Sequence, residues 1–135
     1  GQACVIFGLE GEEENGRIKA LRDSLWEKLQ AGLDGITLNG SISKRHPGNL
    51  HVSFDGVEAE ALIMSLRNIA ISSGAACTSA TLEPSHVMKG IGVPPQRGHS
   101  ALRFGIGRFN SSEEVEYVAE SVIEQVTRLR EMKTP

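Results

Sequence analysis

Long apolar runs are missing from this chain of 135 residues. No stretch approaches the length of a bilayer span, and the N-terminus lacks a basic region followed by an apolar one, so no membrane span or leader is expected. An excess of positive charge is missing too. The formal net charge is -3 and the isoelectric point lies near 5.8, which argues against a nucleic-acid binder held by phosphate contacts. The one basic cluster, Lys44-Arg45-His46, stands beside a Pro-Gly turn and reads as a solvated loop. Cysteine is scarce: Cys4 and Cys77 cannot build a disulfide framework, and no Cys-x-x-Cys spacing points to structural zinc. None of the histidines His46, His51, His86 and His99 pairs at the i, i+4 spacing that puts two ligands on one helical face, so no metal centre is expected. These absences make the cytosol, or an equivalent reducing compartment, the expected location. Without a repeat, a low-complexity tract or an internal linker, residues 1–135 read as one domain. Its hydrophobic share of 39% and charged share of 23% are ordinary for a globular protein.

What is present is mixed periodicity. Ile18, Leu21, Leu25, Leu29 and Leu33 recur at helical spacing and predict a helix over about 15–33, with Gly32 and Gly35 as stop signals. Gly8, Gly11 and Gly16 weigh against extending that helix to the N-terminus. Ile36 to Leu38 reads as a short strand. After a Pro47-Gly48 turn, Leu50, Val52 and Phe54 alternate with His51, Ser53 and Asp55 as a half-buried strand. Asp55 with Glu58 resembles a capping box before a second amphipathic helix through Ala59, Leu62, Ile63 and Leu66. Ile69 to Ser72 is a third short apolar segment, Pro84 starts a short helix that Gly90 ends, and Ala101 to Gly107 is a fourth strand. Ser111-Ser112-Glu113-Glu114 is a further capping box, opening a long helix marked by Val115, Val118, Ala119, Val122, Val126 and Leu129. The expected class is α+β: a small, mostly antiparallel sheet with helices packed on one face.

Two residues stand out chemically. Cys4 lies in the apolar run Ala3 to Phe7, where a free cysteine usually behaves as a small buried hydrophobe. Cys77 instead lies among small residues, Ser72-Ser73-Gly74-Ala75-Ala76-Cys77-Thr78-Ser79-Ala80, with little side-chain mass to anchor a core. Such a segment is expected to be mobile and exposed, which suits a reactive thiol, or it is an ordinary connection that contains a cysteine. Arg103 shares a strand face with Gly105 and Gly107, which leaves room for a small carboxylate to be gripped by two parallel hydrogen bonds. The alternative is a surface arginine paired with a glutamate on a neighbouring helix. A thiol hydrolase using Cys77 with His86 or His99 is a weaker option. The glycines of Gly90-Ile91-Gly92 and Gly105-Ile106-Gly107 do not complete a nucleotide-binding pattern.

Taken together, Leu38-Asn39-Gly40, Pro47-Gly48-Asn49-Leu50-His51-Val52-Ser53-Phe54 and Ser72-Ser73-Gly74-Ala75-Ala76-Cys77-Thr78-Ser79 resemble the cysteine desulfurases of the NifS/IscS-like group. The likeness continues in Leu82-Glu83-Pro84-Ser85 and in His99 to Phe109, in register along nearly the whole chain. The resemblance implies the C-terminal small domain of the fold-type I aminotransferase-like architecture. It also implies that Cys77 takes sulfur from the substrate as a persulfide and that Arg103 binds the substrate carboxylate. The implied reaction converts L-cysteine to L-alanine with pyridoxal phosphate as electron sink. The sulfur passes to an iron-sulfur scaffold or another acceptor protein, and the parent enzyme is a homodimer.

The chain departs from the family in length. The family's large domain supplies a Schiff-base lysine in a Ser-x-His-Lys setting, a histidine stacked on the cofactor ring and an aspartate on its nitrogen. None of these settings occurs here, and Lys19, Lys28, Lys44, Lys89 and Lys133 match no such motif. The expectation is therefore a domain of a desulfurase that is inactive alone, with the cofactor held by the absent large domain. The other candidate is a stand-alone persulfide carrier that uses the same Cys77 without catalysis.

Overall fold

The computed structural model describes residues 1–73 and 86–133. At its centre lies a three-stranded antiparallel sheet in the order β1 (Ile36–Leu38), β2 (Asn49–Phe54), β3 (Ala101–Gly105). Because strand side chains alternate between faces, the register sorts the residues cleanly. Val52 pairs with Leu38 and Leu102, Leu50 with Phe104, and Phe54 with Ile36, which makes one face apolar. On the other face His51 pairs with Arg103, Ser53 with Thr37 and Ala101, and Asn49 with Gly105.

Two long helices cover the apolar face. Helix α1 (Gln2–Gly32) brings Leu25 and Leu29, and α5 (Ser112–Glu131) brings Val115, Ala119, Val122 and Val126, the i, i+4, i+7 pattern of one helical stripe. They pack on each other and on Leu50, Val52 and Phe54, whose side chains are fully excluded from water. Helix α2 (Ala59–Ser65) buries Ala59 and Leu62 and packs beside α5. The short helices α3 (His86–Gly90) and α4 (Pro95–Gly98) lead back into β3. The α+β class with helices on one sheet face is as the periodicity predicts.

Local chemistry explains several boundaries. The Ser111 hydroxyl accepts from the Glu114 backbone N–H at 3.3 Å, and the Glu114 carboxylate accepts from Ser111 N–H at 3.2 Å, so the capping box at α5 forms. The one expected at α2 does not. That helix starts at Ala59 with Glu58 as its cap and no side-chain bond, and Ala59 N–H instead donates to the His99 carbonyl at 2.9 Å. Asp55 is held in the turn after β2, where Gly56 has φ +78° and Asp55 N–H donates to the Gly35 carbonyl, too far back to cap α2.

Three further expectations are corrected. Helix α1 runs unbroken through Gly8, Gly11 and Gly16. Each such glycine costs about 1 kcal/mol relative to alanine, but Glu10 pairs with Arg108 at 2.9 Å and Arg17 reaches both Glu14 and the carbonyl of Asn110, tying the segment to the loop before α5. Cys4 is exposed rather than buried, because the first turns of α1 extend past the core and leave Val5, Phe7 and Leu9 exposed as well. The third expected segment, Ile69 to Ser72, makes a single bridge, Ser72 with Arg103, rather than a strand, while the expected fourth strand forms over Ala101–Gly105. Pro84 and Cys77 lie outside the described residues.

Gly48 is needed where the loop meets the sheet. Its carbonyl accepts from Ile106 N–H at 2.8 Å, and a Cβ placed on it would lie 1.9 Å from the Ile106 carbonyl oxygen. Gly48→Ala is expected to destabilise the domain by about 2 kcal/mol or more, because backbone cannot yield as a side chain would. Urea unfolding checks this, and an unchanged midpoint would show that the two chain segments part without cost.

Candidate functional site

The polar face of the sheet opens into a cleft of ≈ 260 Å³. Its floor is the cross-strand pair His51 and Arg103, and its rim is the loop that joins β1 to β2. The loop is held by its own chain. Asn39 N–H donates to the His51 carbonyl at 2.9 Å, and Gly40 takes φ +80°, a conformation open to glycine. Arg45 folds back over the turn, donating from Nε to the Ser41 carbonyl at 2.6 Å and from Nη2 to the Asn39 carbonyl at 2.8 Å. Beneath it the buried Asn39 amide donates to Ser53 Oγ at 2.9 Å, and Ser53 Oγ donates to the Arg97 carbonyl at 3.0 Å. This polar stitching, invisible as a motif, joins β1, β2 and α4. Val87, Met88 and Ile91 close the far wall.

Arg103 is where the strand alternation puts it: Leu102 and Phe104 are buried while Arg103 and Gly105 face out. A Cβ added at Gly105 or Gly107 would meet nothing within 4 Å, so the space beside the guanidinium is open. The expected alternative, pairing with a glutamate, is not seen. Among the described residues no carboxylate forms an ion pair with Arg103, whereas Arg17, Arg22, Arg108, Lys19 and Lys28 all have acidic partners. Lys44, Arg45 and Arg103 line the cleft, and no Asp or Glu among the described residues does. Three cations without a counter-charge make a local positive potential that draws small anions.

His51 is the site residue that the histidine survey passed over. His46, His86 and His99 are exposed, but His51 is half-buried in the cleft floor, with Nε2 shut off from water and without a hydrogen-bond partner among the described residues. Burial pushes its affinity for a proton down from the ordinary value of 6.5; the Ser73 backbone works against this, and the charges of Arg103 and Arg45 add to it. The imidazole is therefore neutral near pH 7. The unfolded chain takes up this proton as pH falls through 6.5, while the folded chain resists it. The stability associated with His51 is thus present above 6.5 and is lost as pH falls below it. Unfolding midpoints of the wild type are expected to drop between about pH 7.5 and about pH 5.5, and less so in His51→Asn. Equal drops in the two proteins would contradict this.

A larger groove of ≈ 370 Å³ runs between β3 and α5. Among the described residues its only charged lining residue is Glu114, whose carboxylate is already used by Asn110 and by the Ser111 N–H of the capping box. It offers no nucleophile and no unpaired charge among the described residues. No group of three or more His, Cys, Asp or Glu that could hold a metal ion occurs among them either.

Cys77 lies outside the described residues, but its approach is placed. Arg103 N–H donates to the Ser72 carbonyl at 2.8 Å, and Ser73 lines the cleft. Neither His86 nor His99 does.

Comparison with known proteins agrees with this fold. The family described as aminotransferase class-V matches residues 8–118. "Cysteine desulfurase IscS" from Anaeromyxobacter sp. (strain Fw109-5) is 52% identical over 98% of this chain and 33% of its own length. The protein of the same name from Pseudomonas aeruginosa (strain LESB58) is 47% identical over 98% of this chain and 32% of its own. "Cysteine desulfurase, mitochondrial" from Arabidopsis thaliana is 46% identical over 98% and 29%. The chain thus spans about a third of the length of the curated relatives it matches. A solved structure of a NifS-like protein superimposes with a TM-score of 0.75 at 22% identity, covering 91% of this chain and 31% of its own, a likeness of fold.

Proposed function

The chain belongs to the class-V aminotransferase family, and from that premise we propose that it is the small C-terminal domain of a cysteine desulfurase. The parent protein would convert L-cysteine to L-alanine and pass the sulfur to an iron-sulfur scaffold or another acceptor. The observation that carries this is the identity with cysteine desulfurases along 98% of the chain. The cationic cleft supports it, since Arg103 has open space and no acidic partner among the described residues.

In this assignment Arg103 grips the substrate carboxylate and so fixes the amino acid against the sheet. Cys77 supplies the nucleophile. Its thiolate attacks the substrate sulfur, an S–S bond forms as the Cβ–S bond breaks, and Cβ takes up a proton to become the methyl group of alanine. Cys77 and L-cysteine become Cys77 persulfide and L-alanine, with no external oxidant. The placement of Ser72 and Ser73 is compatible with this route. Cys77 is four residues beyond Ser73, and four residues of chain span at most ~14 Å.

Pyridoxal phosphate, the cofactor of the proposed parent, would when bound supply the sink for the electron pair left at Cα as the α-proton departs. The described residues do not make a site for it. Among them no carboxylate lines the cleft to face a pyridine nitrogen, and the one lysine that lines it, Lys44, is exposed on the loop. The cofactor's anchors are assigned to protein outside this chain. The parent is assigned as a homodimer in the cytoplasm or an equivalent reducing compartment. No helix among the described residues is long and apolar enough to cross a membrane.

The test is alanine formation from L-cysteine by the full-length protein with pyridoxal phosphate. Alanine with sulfide or persulfide supports the assignment. Persulfide accepted from a donor protein, without alanine, would point to a carrier instead.

A further inference from the structure

The mechanism above leaves one group of the cleft floor unexplained. His51 Nε2 is buried and has no hydrogen-bond partner among the described residues. A buried polar atom in that state forgoes its interaction with water and gets nothing in return, so such atoms in folded proteins call for a ligand or a function. Here the atom belongs to the direct cross-strand neighbour of Arg103. Side chains paired in this way have Cβ atoms about 5 Å apart, and both residues line the same cleft, with the Arg103 charge acting on the imidazole.

We propose, building on the assignment of Arg103 above, that His51 is the second residue of the carboxylate site, donating from Nε2–H to the anion that Arg103 holds. In the empty cleft the ring is neutral. Around it stand Arg103 on β3, Arg45 and Lys44 on the loop and the Ser73 backbone, and no carboxylate among the described residues lines the cleft to favour a charged imidazole. A bound carboxylate reverses that field. It offsets the neighbouring guanidinium charge and gives Nε2–H the acceptor it lacks. Binding of the anion and protonation of His51 therefore favour each other by the same factor. The site takes an α-amino acid carboxylate together with a proton, and a neutral amide in its place would gain nothing from His51.

The experiment uses the full-length protein with its cofactor bound. The probe is 3-mercaptopropionate, which has the carboxylate and thiol of the substrate and no amine to engage the cofactor. Calorimetric titration near neutral pH in two buffers of different ionisation heat reads the protons taken up per ligand bound. The expected result is net uptake in the wild type. In His51→Asn and in His51→Gln the uptake is lost and affinity falls about 2- to 10-fold, the scale of one hydrogen bond. Uptake that is absent in the wild type, or that persists unchanged in both variants, overturns the role of His51 while leaving Arg103 in place. Arg103→Ala separates the two ideas. If that variant binds the probe as well as the wild type does, the carboxylate site itself is misplaced and His51 falls with it.

Discussion

Replacing Cys77 with alanine in the full-length protein is expected to reduce sulfur transfer to the background of the assay. The thiolate is the only group in this assignment that forms a bond to the departing sulfur. Cys4, the other cysteine, sits on the exposed first turns of α1, away from the cleft-lining residues. Cys4→Ala is therefore the matched control and is expected to transfer sulfur at the wild-type rate. The check is sulfur delivered from L-cysteine to a small acceptor thiol, measured for both variants. Full transfer by Cys77→Ala would remove that residue from its role, and loss in Cys4→Ala alone would move the role to the other cysteine.

The second large effect is expected at Arg103. A guanidinium that holds a carboxylate through two charge-assisted hydrogen bonds contributes on the order of 1.5–3 kcal/mol. Arg103→Ala should accordingly raise KM for L-cysteine about 10- to 100-fold, with a smaller change in kcat. Arg103→Lys keeps the charge without the planar fork and should recover only part of the loss. The fold should survive the change, because Arg103 is exposed and makes no ion pair among the described residues, while its strand is held by Leu102 and Phe104 in the core. An unchanged KM in Arg103→Ala, with an intact unfolding midpoint, would sink the assignment.

The apolar half of this fold was written plainly in the chain. Period-2 alternation at Leu50, Val52 and Phe54 and helical spacing at Leu25, Leu29, Val115, Val122 and Val126 required one apolar sheet face and two covering helices, and those residues form the core. Ser111 with Glu114 marked the start of α5 because both halves of that cap are local in sequence. Where partners come from elsewhere, sequence was a poorer guide. Ala59 is capped by His99, and the glycines of α1 are carried by contacts to Arg108 and Asn110, neither of which has a local signature.

The same distinction applies to the site. Arg103 could be placed on a face by alternation within its own strand, and so could His51. Their pairing across β2 and β3 depends on a register set by distant parts of the chain, so the one half-buried histidine looked like the other three. The absence of an acidic partner for Arg103 was likewise a matter of tertiary packing. The role proposed for Cys77 rests on resemblance to a family, since composition alone left an ordinary connecting loop equally open.

One measurement addresses the central claim most directly. The full-length protein, loaded with pyridoxal phosphate, is given about one equivalent of L-cysteine without acceptor, and mass spectrometry then reads both free alanine and the peptide that contains Cys77. The account predicts alanine together with one added sulfur atom on Cys77. Alanine formed while Cys77 stays unmodified, or no alanine at all from the complete protein, would contradict it.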